Sequence, residues 1–156
     1  MSKIDYEKIA KALYDRLVLK LQDEYVTMGR KHISPPTLTQ DMQPALFQSV
    51  LRRSSAPKPR GTGGTQQLDG FLIIYDFQPD NGELPGEETD LGETRMLKHL
   101  ANLDDALVPD DDDPYNQVQT LGGLVSHCWI EGATDLDPGV LGLQCMAVVP
   151  FHILVP

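Results

Sequence analysis

His127 and Cys128 are neighbours, and a cysteine with a histidine is the pair that a thiolate nucleophile and its base would need. Adjacent residues of an extended strand point to opposite faces, so these two are not expected to meet. Ser126 stands beside them without the Gly-x-Ser-x-Gly setting of a hydrolase nucleophile. The histidines His32, His99, His127 and His152 are scattered along the chain. If the final strands pair, His127 and His152 approach each other, but two histidines fall short of a zinc ligand set. Residues 110–113 are consecutive aspartates. A calcium loop needs alternating ligands and a turn glycine, so a solvated acidic loop is expected there. Gly61-Thr62-Gly63-Gly64 has the glycines of a phosphate-binding loop but lacks its Gly-Lys-Ser/Thr ending, and no helix follows. The other carboxylates fall mainly in loop-like segments. No catalytic, metal or cofactor site is expected, and the chain reads as a non-enzyme.

The elements that would position these residues fit one domain over residues 1–156. The chain is 40% hydrophobic and 23% charged, as in ordinary globular proteins. Its net charge of −10 is regional: Asp76 to Asp113 hold thirteen acids against Arg95 and Lys98, and the rest sums to +1. That distribution argues against a surface given over to nucleic acid. Cys128 and Cys145 lie in apolar runs and read as small buried side chains, with a disulfide between neighbouring strands left open. With no apolar signal region, a reducing compartment is expected. The longest apolar runs, near 145–155, are too short for a bilayer and are broken by Pro150, so no membrane association is expected.

Tyr6, Ile9, Ala10, Leu13, Leu17 and Leu21 form one stripe at helical spacing, which predicts a helix capped by Ser2 and running to about Met28. Prolines 35, 36 and 44 make 30–44 irregular. Residues 45–51 and 70–77 read as strands, joined by a long loop at 52–67 that carries Arg52, Arg53, Lys58 and Arg60 with no acid among them. That loop is either solvated or an arm that contacts a neighbouring subunit or a phosphate backbone. A second long, acidic loop covers 78–92, and Met96, Leu97, Leu100, Leu103 and Leu107 predict a second helix. Residues 118–130 and 140–155 read as the last strands, with a bulge at Gly122-Gly123 and a turn at 132–139. Pro150 cannot donate to a ladder, so the last strand is expected to bulge or lie at an edge. The predicted fold is α+β: a mainly antiparallel four-stranded sheet with two helices on one face, in the order α-β-β-α-β-β.

That order resembles the tail terminators of long-tailed bacteriophages, the minor-tail-protein-U-like or tail-completion family. Gln43-Pro-Ala-Leu-Phe47, Gln119-Thr-Leu-Gly-Gly-Leu-Val-Ser-His-Cys-Trp-Ile-Glu-Gly132, Gly139-Val-Leu-Gly-Leu-Gln144 and Ala147-Val-Val-Pro-Phe-His-Ile-Leu-Val-Pro156 look like the family's strand segments. The loops at 52–67 and 78–92 depart from it in length. The resemblance implies a structural virion protein, made in the host bacterial cytoplasm, that forms a homohexameric ring. Such a ring would cap the tail tube, end its polymerisation and join it to the head–tail connector of the neck. Its partners would be other copies, tube and connector proteins, sheath proteins in a contractile tail, and genomic DNA passing through the lumen without specific binding. Candidate contacts are the basic segment Arg52, Arg53, Lys58 and Arg60, and a final-strand edge bearing Val148, Phe151, Ile153 and Val155. Competing readings are another connector or tail-completion subunit and, in a different class, a small cytoplasmic ligand-binding domain with its pocket between helices and sheet.

Overall fold

The computed structural model describes residues 3–57, 64–78, 92–109, 118–139 and 142–156. Helix α1, Tyr6–Leu21, buries Ile9, Ala10, Leu13, Leu17 and Leu21, the stripe expected from their spacing. Asp5, not Ser2, is its N-cap: the carboxylate accepts from the Lys8 backbone N–H at 3.0 Å. The helix also stops about two turns earlier than expected. Residues 22–24 turn, Tyr25 is drawn into the core, and Thr27–Gly29 form strand β1. Apolar periodicity had already ended at Leu21, and a strand of this length leaves no alternation to recognise.

Strands β2, Ala45–Pro57, and β3, Gly64–Phe77, form a long antiparallel hairpin. The expected loop at 52–67 is thereby corrected, since both strands continue into it and only 58–63 lie outside the described residues. Its Arg, Ser and Gln residues hid the strands: ladder hydrogen bonds need no apolar side chains, and this ribbon has little core to face. The acidic stretch 79–91 and the aspartate run also lie outside the described residues.

Helix α2, Gly92–Ala106, buries Met96, His99, Leu103 and Ala106. It has no basic residue in its last turn; Arg16 of α1 supplies one, donating to the Ala106 and Val108 carbonyls at 2.7 and 3.2 Å. A guanidinium there offsets the negative end of the helix dipole.

Strand β4 is His127–Ile130, β5 Asp135–Asp137 and β6 Gln144–Leu154. The sheet therefore has six strands and is mixed, with path β1-β2-β3-β6-β4, β5 also on β6, and β1 parallel to β2. The four-stranded antiparallel expectation is corrected by the two three-residue strands, β1 and β5. The expected strand at 118–130 begins only at His127. Leu121, Gly122 and Gly123 take positive φ values of 51°, 74° and 86°, which make a turn where a bulge was expected.

β6 is interior. It pairs with β3 along its length, with β5 at Met146–Val148 and with β4 at Phe151–Leu154. Pro150 sits in the gap between β5 and β4, where a missing N–H breaks no bond on that side. This corrects the expected free edge at Val148, Phe151, Ile153 and Val155. Phe151, Ile153 and Val155 are buried in the main core, and Val148 is half-buried on the opposite face.

Side chains at alternate positions divide between the faces. Leu46, Leu72, Ile74, Cys145, Ala147, Val149, Phe151 and Ile153 join the two helices in the main core. A smaller cluster of Leu38, Ala45, Phe47 and Tyr75 lies on the other face, with Ile33 and Met42 of the 30–44 segment packed against it. Gly70 lets the Phe151 ring approach the hairpin: a Cβ there would lie 2.7 Å from the ring and 2.0 Å from the Ser49 carbonyl oxygen.

Candidate functional site

Beyond the small cluster, the outer face of the sheet carries a polar row. Arg52 on β2, Asp69 on β3, His152 on β6 and Trp129 on β4 stand at matched register positions across four strands. Asp69 accepts from Arg52 Nη2 at 3.1 Å and Gln67 Nε2 at 2.7 Å, and lies 2.6 Å from His152 Nδ1. The other nitrogen of His152 lies 2.8 Å from the Glu131 carbonyl oxygen. Both ring nitrogens thus face acceptors, an arrangement satisfied only by the imidazolium. The Trp129 ring stacks on His127 at a centroid distance of 4.5 Å and contacts the His152 ring at 5.3 Å, and its Nε1 donates to Glu131 Oε2 at 2.7 Å. Both histidines thus pack against the tryptophan.

Burial opposes ionisation of Asp69, but hydrogen bonds from Gln67, His152 and Arg52 outweigh it and hold the carboxyl below its usual range. Burial likewise opposes the charge on His152, while the bonds to Asp69 and the Glu131 carbonyl raise its pKa above 6.5. Stability from His152 is fully present below its unfolded pKa and is lost as pH rises through the raised folded value. Stability from Asp69 is present above the ordinary carboxylate range and lost as pH falls through the depressed value. The pair should contribute most in the mildly acidic window between those two ordinary values. The thermal midpoint of His152→Gln should fall below wild type near pH 5.5 and converge with it towards pH 8.5, about one unit below and two units above an ordinary histidine pKa. A gap between the two proteins that does not change with pH would refute the imidazolium.

Beside this row, Leu51, Gly70, Phe71 and Pro150 line an open cleft of about 350 Å³. The polar groups at its margin, Arg52, Asp69 and His152, are already paired with one another. A second cluster lies on the helix side. The buried Asp76 carboxylate accepts from Arg95 Nε and Nη2, each at 3.0 Å, and from the Phe77 backbone N–H at 2.7 Å, and sits 2.8 Å from His99 Nε2. Burial pushes its pKa up, but these bonds prevail and hold it low. Asp76 joins β3 to α2.

Of the sequence-predicted contacts, Arg52 and Arg53 lie on β2 at the base of the hairpin ribbon, and Lys58 and Arg60 lie outside the described residues. Arg53 holds its guanidinium 5.8 Å from the Tyr6 ring centroid. Cys128 is on the core face and His127 on the outer face, and burial pushes the Cys128 thiol up to about 12. Such a thiol is not a nucleophile near neutral pH. Both cysteines are free and buried. Among the described residues no helix is long and apolar enough to cross a membrane. The row through Asp69 was not anticipated, because the strand was expected to start at Gly70; the alternation of Gln67, Asp69 and Phe71 was the available signal.

These features define a two-layer α+β protein with a mixed sheet and a projecting hairpin. No family model matches the chain, and no curated protein does. Among solved structures it is similar to a chain of "Virion of native gene transfer agent (GTA) particle", at 15% identity over 94% of this chain and 93% of that one, with a TM-score of 0.48.

Proposed function

We propose that this chain is a non-enzymatic structural subunit of a tailed-phage virion, a tail-terminator-type protein whose ring caps the tube and joins the tail to the neck. The observation that carries this reading is the hairpin. Pairing of β3 with β6 ends at Gln67 and Leu154, while β2 and β3 stay paired to Pro57 and Gly64. The end of the hairpin is therefore a two-stranded ribbon, and Leu51, Arg52, Arg53, Ser54 and Ser55 leading into it are exposed. A two-stranded ribbon is marginal in water unless something braces it. In a ring each subunit braces the next through two different patches, as closure by rotation requires.

The basic residues Arg52, Arg53, Lys58 and Arg60 would meet an acidic protein surface on the tube or a neighbour. The lumen would carry few bases, because close phosphate contacts would retain sliding DNA. The alternative ligand-binding domain finds less support: in the groove between α1 and β2, Arg30 and Glu7 are bound to each other at 2.6 and 3.0 Å.

Mass photometry and negative-stain imaging of the purified chain should show a single closed, six-fold ring. Filaments would identify a tube protein, and a monomer at every concentration would overturn the reading. Charge reversal at Arg52, Arg53, Lys58 and Arg60 should block tail joining; infectious particles at wild-type yield from that variant would remove the basic segment from the contact.

A further inference from the structure

β1 covers the outer edge of β2 only at Ala45, Leu46 and Phe47. From Gln48 onward no other strand of the described residues pairs with that edge. It borders a groove of about 540 Å³ walled by Tyr6, Glu7 and Ala10 of α1, by Arg30, and by Val50 and Leu51. Val50 and Leu51 are 37% and 64% exposed. An unpaired edge with exposed apolar residues is a template for another strand.

At the opposite side of the sheet, β5 pairs with β6 alone among the described strands, and all three of its residues are exposed. Leu136 is 41% exposed and stands opposite the buried Ala147, which places it on the helix side of the sheet, like Val50. Asp135 and Asp137 stand opposite Val148 and Met146 on the outer side, like Arg52. Along the same edge Arg52 and Arg53 follow Leu51, Arg52 on the outer side beside Asp69 and Arg53 beside Tyr6 of α1, whereas β5 carries two aspartates and no base, so the charges are complementary.

We infer that β5 of one copy docks beside β2 of the next, with Leu136 entering the groove at Val50 and Leu51 and the outer-side aspartates facing Arg52. This extends the sheet across the subunit boundary by strand addition. The two surfaces are different and lie on opposite sides of one sheet, so the contact is heterologous and repeats until the rotation closes. The inference rests on the ring reading and assigns its interface.

Two charge-reversed full-length variants test it. Arg52→Glu/Arg53→Glu makes both surfaces acidic, and Asp135→Lys/Asp137→Lys makes both basic. Each alone should remain monomeric where wild type forms rings, with association at least about tenfold weaker, as like-charge contacts require. Mixed in equal amounts, they should restore an alternating ring, since every contact then joins opposite charges. Restoration also shows that both variants fold. In a separate chain, Leu51→Cys with Leu136→Cys, both at exposed positions, should yield a ladder of oxidised covalent oligomers. Rings from either charge variant alone, or a mixture that stays monomeric with no cysteine ladder while wild type forms rings, would overturn this interface and leave the ring standing. Wild type that forms no ring at all would overturn the ring reading and this contact with it.

Discussion

Asp76→Ala should destabilise the protein by about 3–5 kcal/mol, the usual cost of removing one partner from a buried ion pair. Asp76 is 3% exposed, and its loss would remove the acceptor that Arg95 and the buried His99 share. For a domain of this size that corresponds to a thermal midpoint lower by on the order of 10 °C. Denaturant unfolding with an unchanged slope would give the free energy directly. A loss below about 1 kcal/mol, the range of exposed pairs, would mean that Arg95 and His99 find other partners and that Asp76 does not clamp β3 to α2. The effect should shrink in acid. Asp76 has a depressed folded pKa, so its contribution holds above the ordinary carboxylate range and fades as pH falls through the folded value.

Phe151→Ala should cost a similar amount, about 3–5 kcal/mol, through lost burial and the cavity left behind. The ring is 0% exposed and occupies the space that Gly70 leaves open, with Ile130 opposite it on β4. Adding Gly70→Ala should not restore stability, because the new Cβ would still meet the Ser49 carbonyl oxygen at 2.0 Å. Thermal unfolding of the single and double variants checks both statements. A double variant more stable than Phe151→Ala would show that the hairpin backbone at Ser49 yields. The site adjoins the register shift between Val50 and Arg52, since Gly70 stands opposite Val50.

Both helices and the centres of the long strands were legible in the sequence. Ile9, Leu13, Leu17 and Leu21 repeat at the helical period, and the apolar run at 71–75 has the β-branched and aromatic content of a covered strand. Burial of one face imposes those patterns, so any chain that builds such elements must show them. The short strands and the polar half of the hairpin were not legible. Thr27–Gly29 and Asp135–Asp137 are strands only because a neighbour supplies their hydrogen bonds, and Arg52 to Pro57 extend only because β3 runs alongside. Backbone pairing leaves no mark on side-chain type when neither face is deeply buried.

The apolar end of the chain shows the same division. Its composition predicted a core strand near residues 145–155, and its proline predicted a bulge or an edge, whereas the ladder with β3 runs through Pro150 without a shift of register. Whether that strand lay at an edge or in the interior depended on where β4 and β5 fall along it, which is a long-range matter of register. The tertiary structure placed it in the interior, buried Phe151, Ile153 and Val155, and among the described strands left β1, with β2 beyond it, on one side of the sheet and β4 and β5 on the other. It likewise brought Arg52, Asp69, His152 and Trp129, distant in sequence, into one row. Local sequence carries the period of an element; only the packed sheet decides which elements are neighbours.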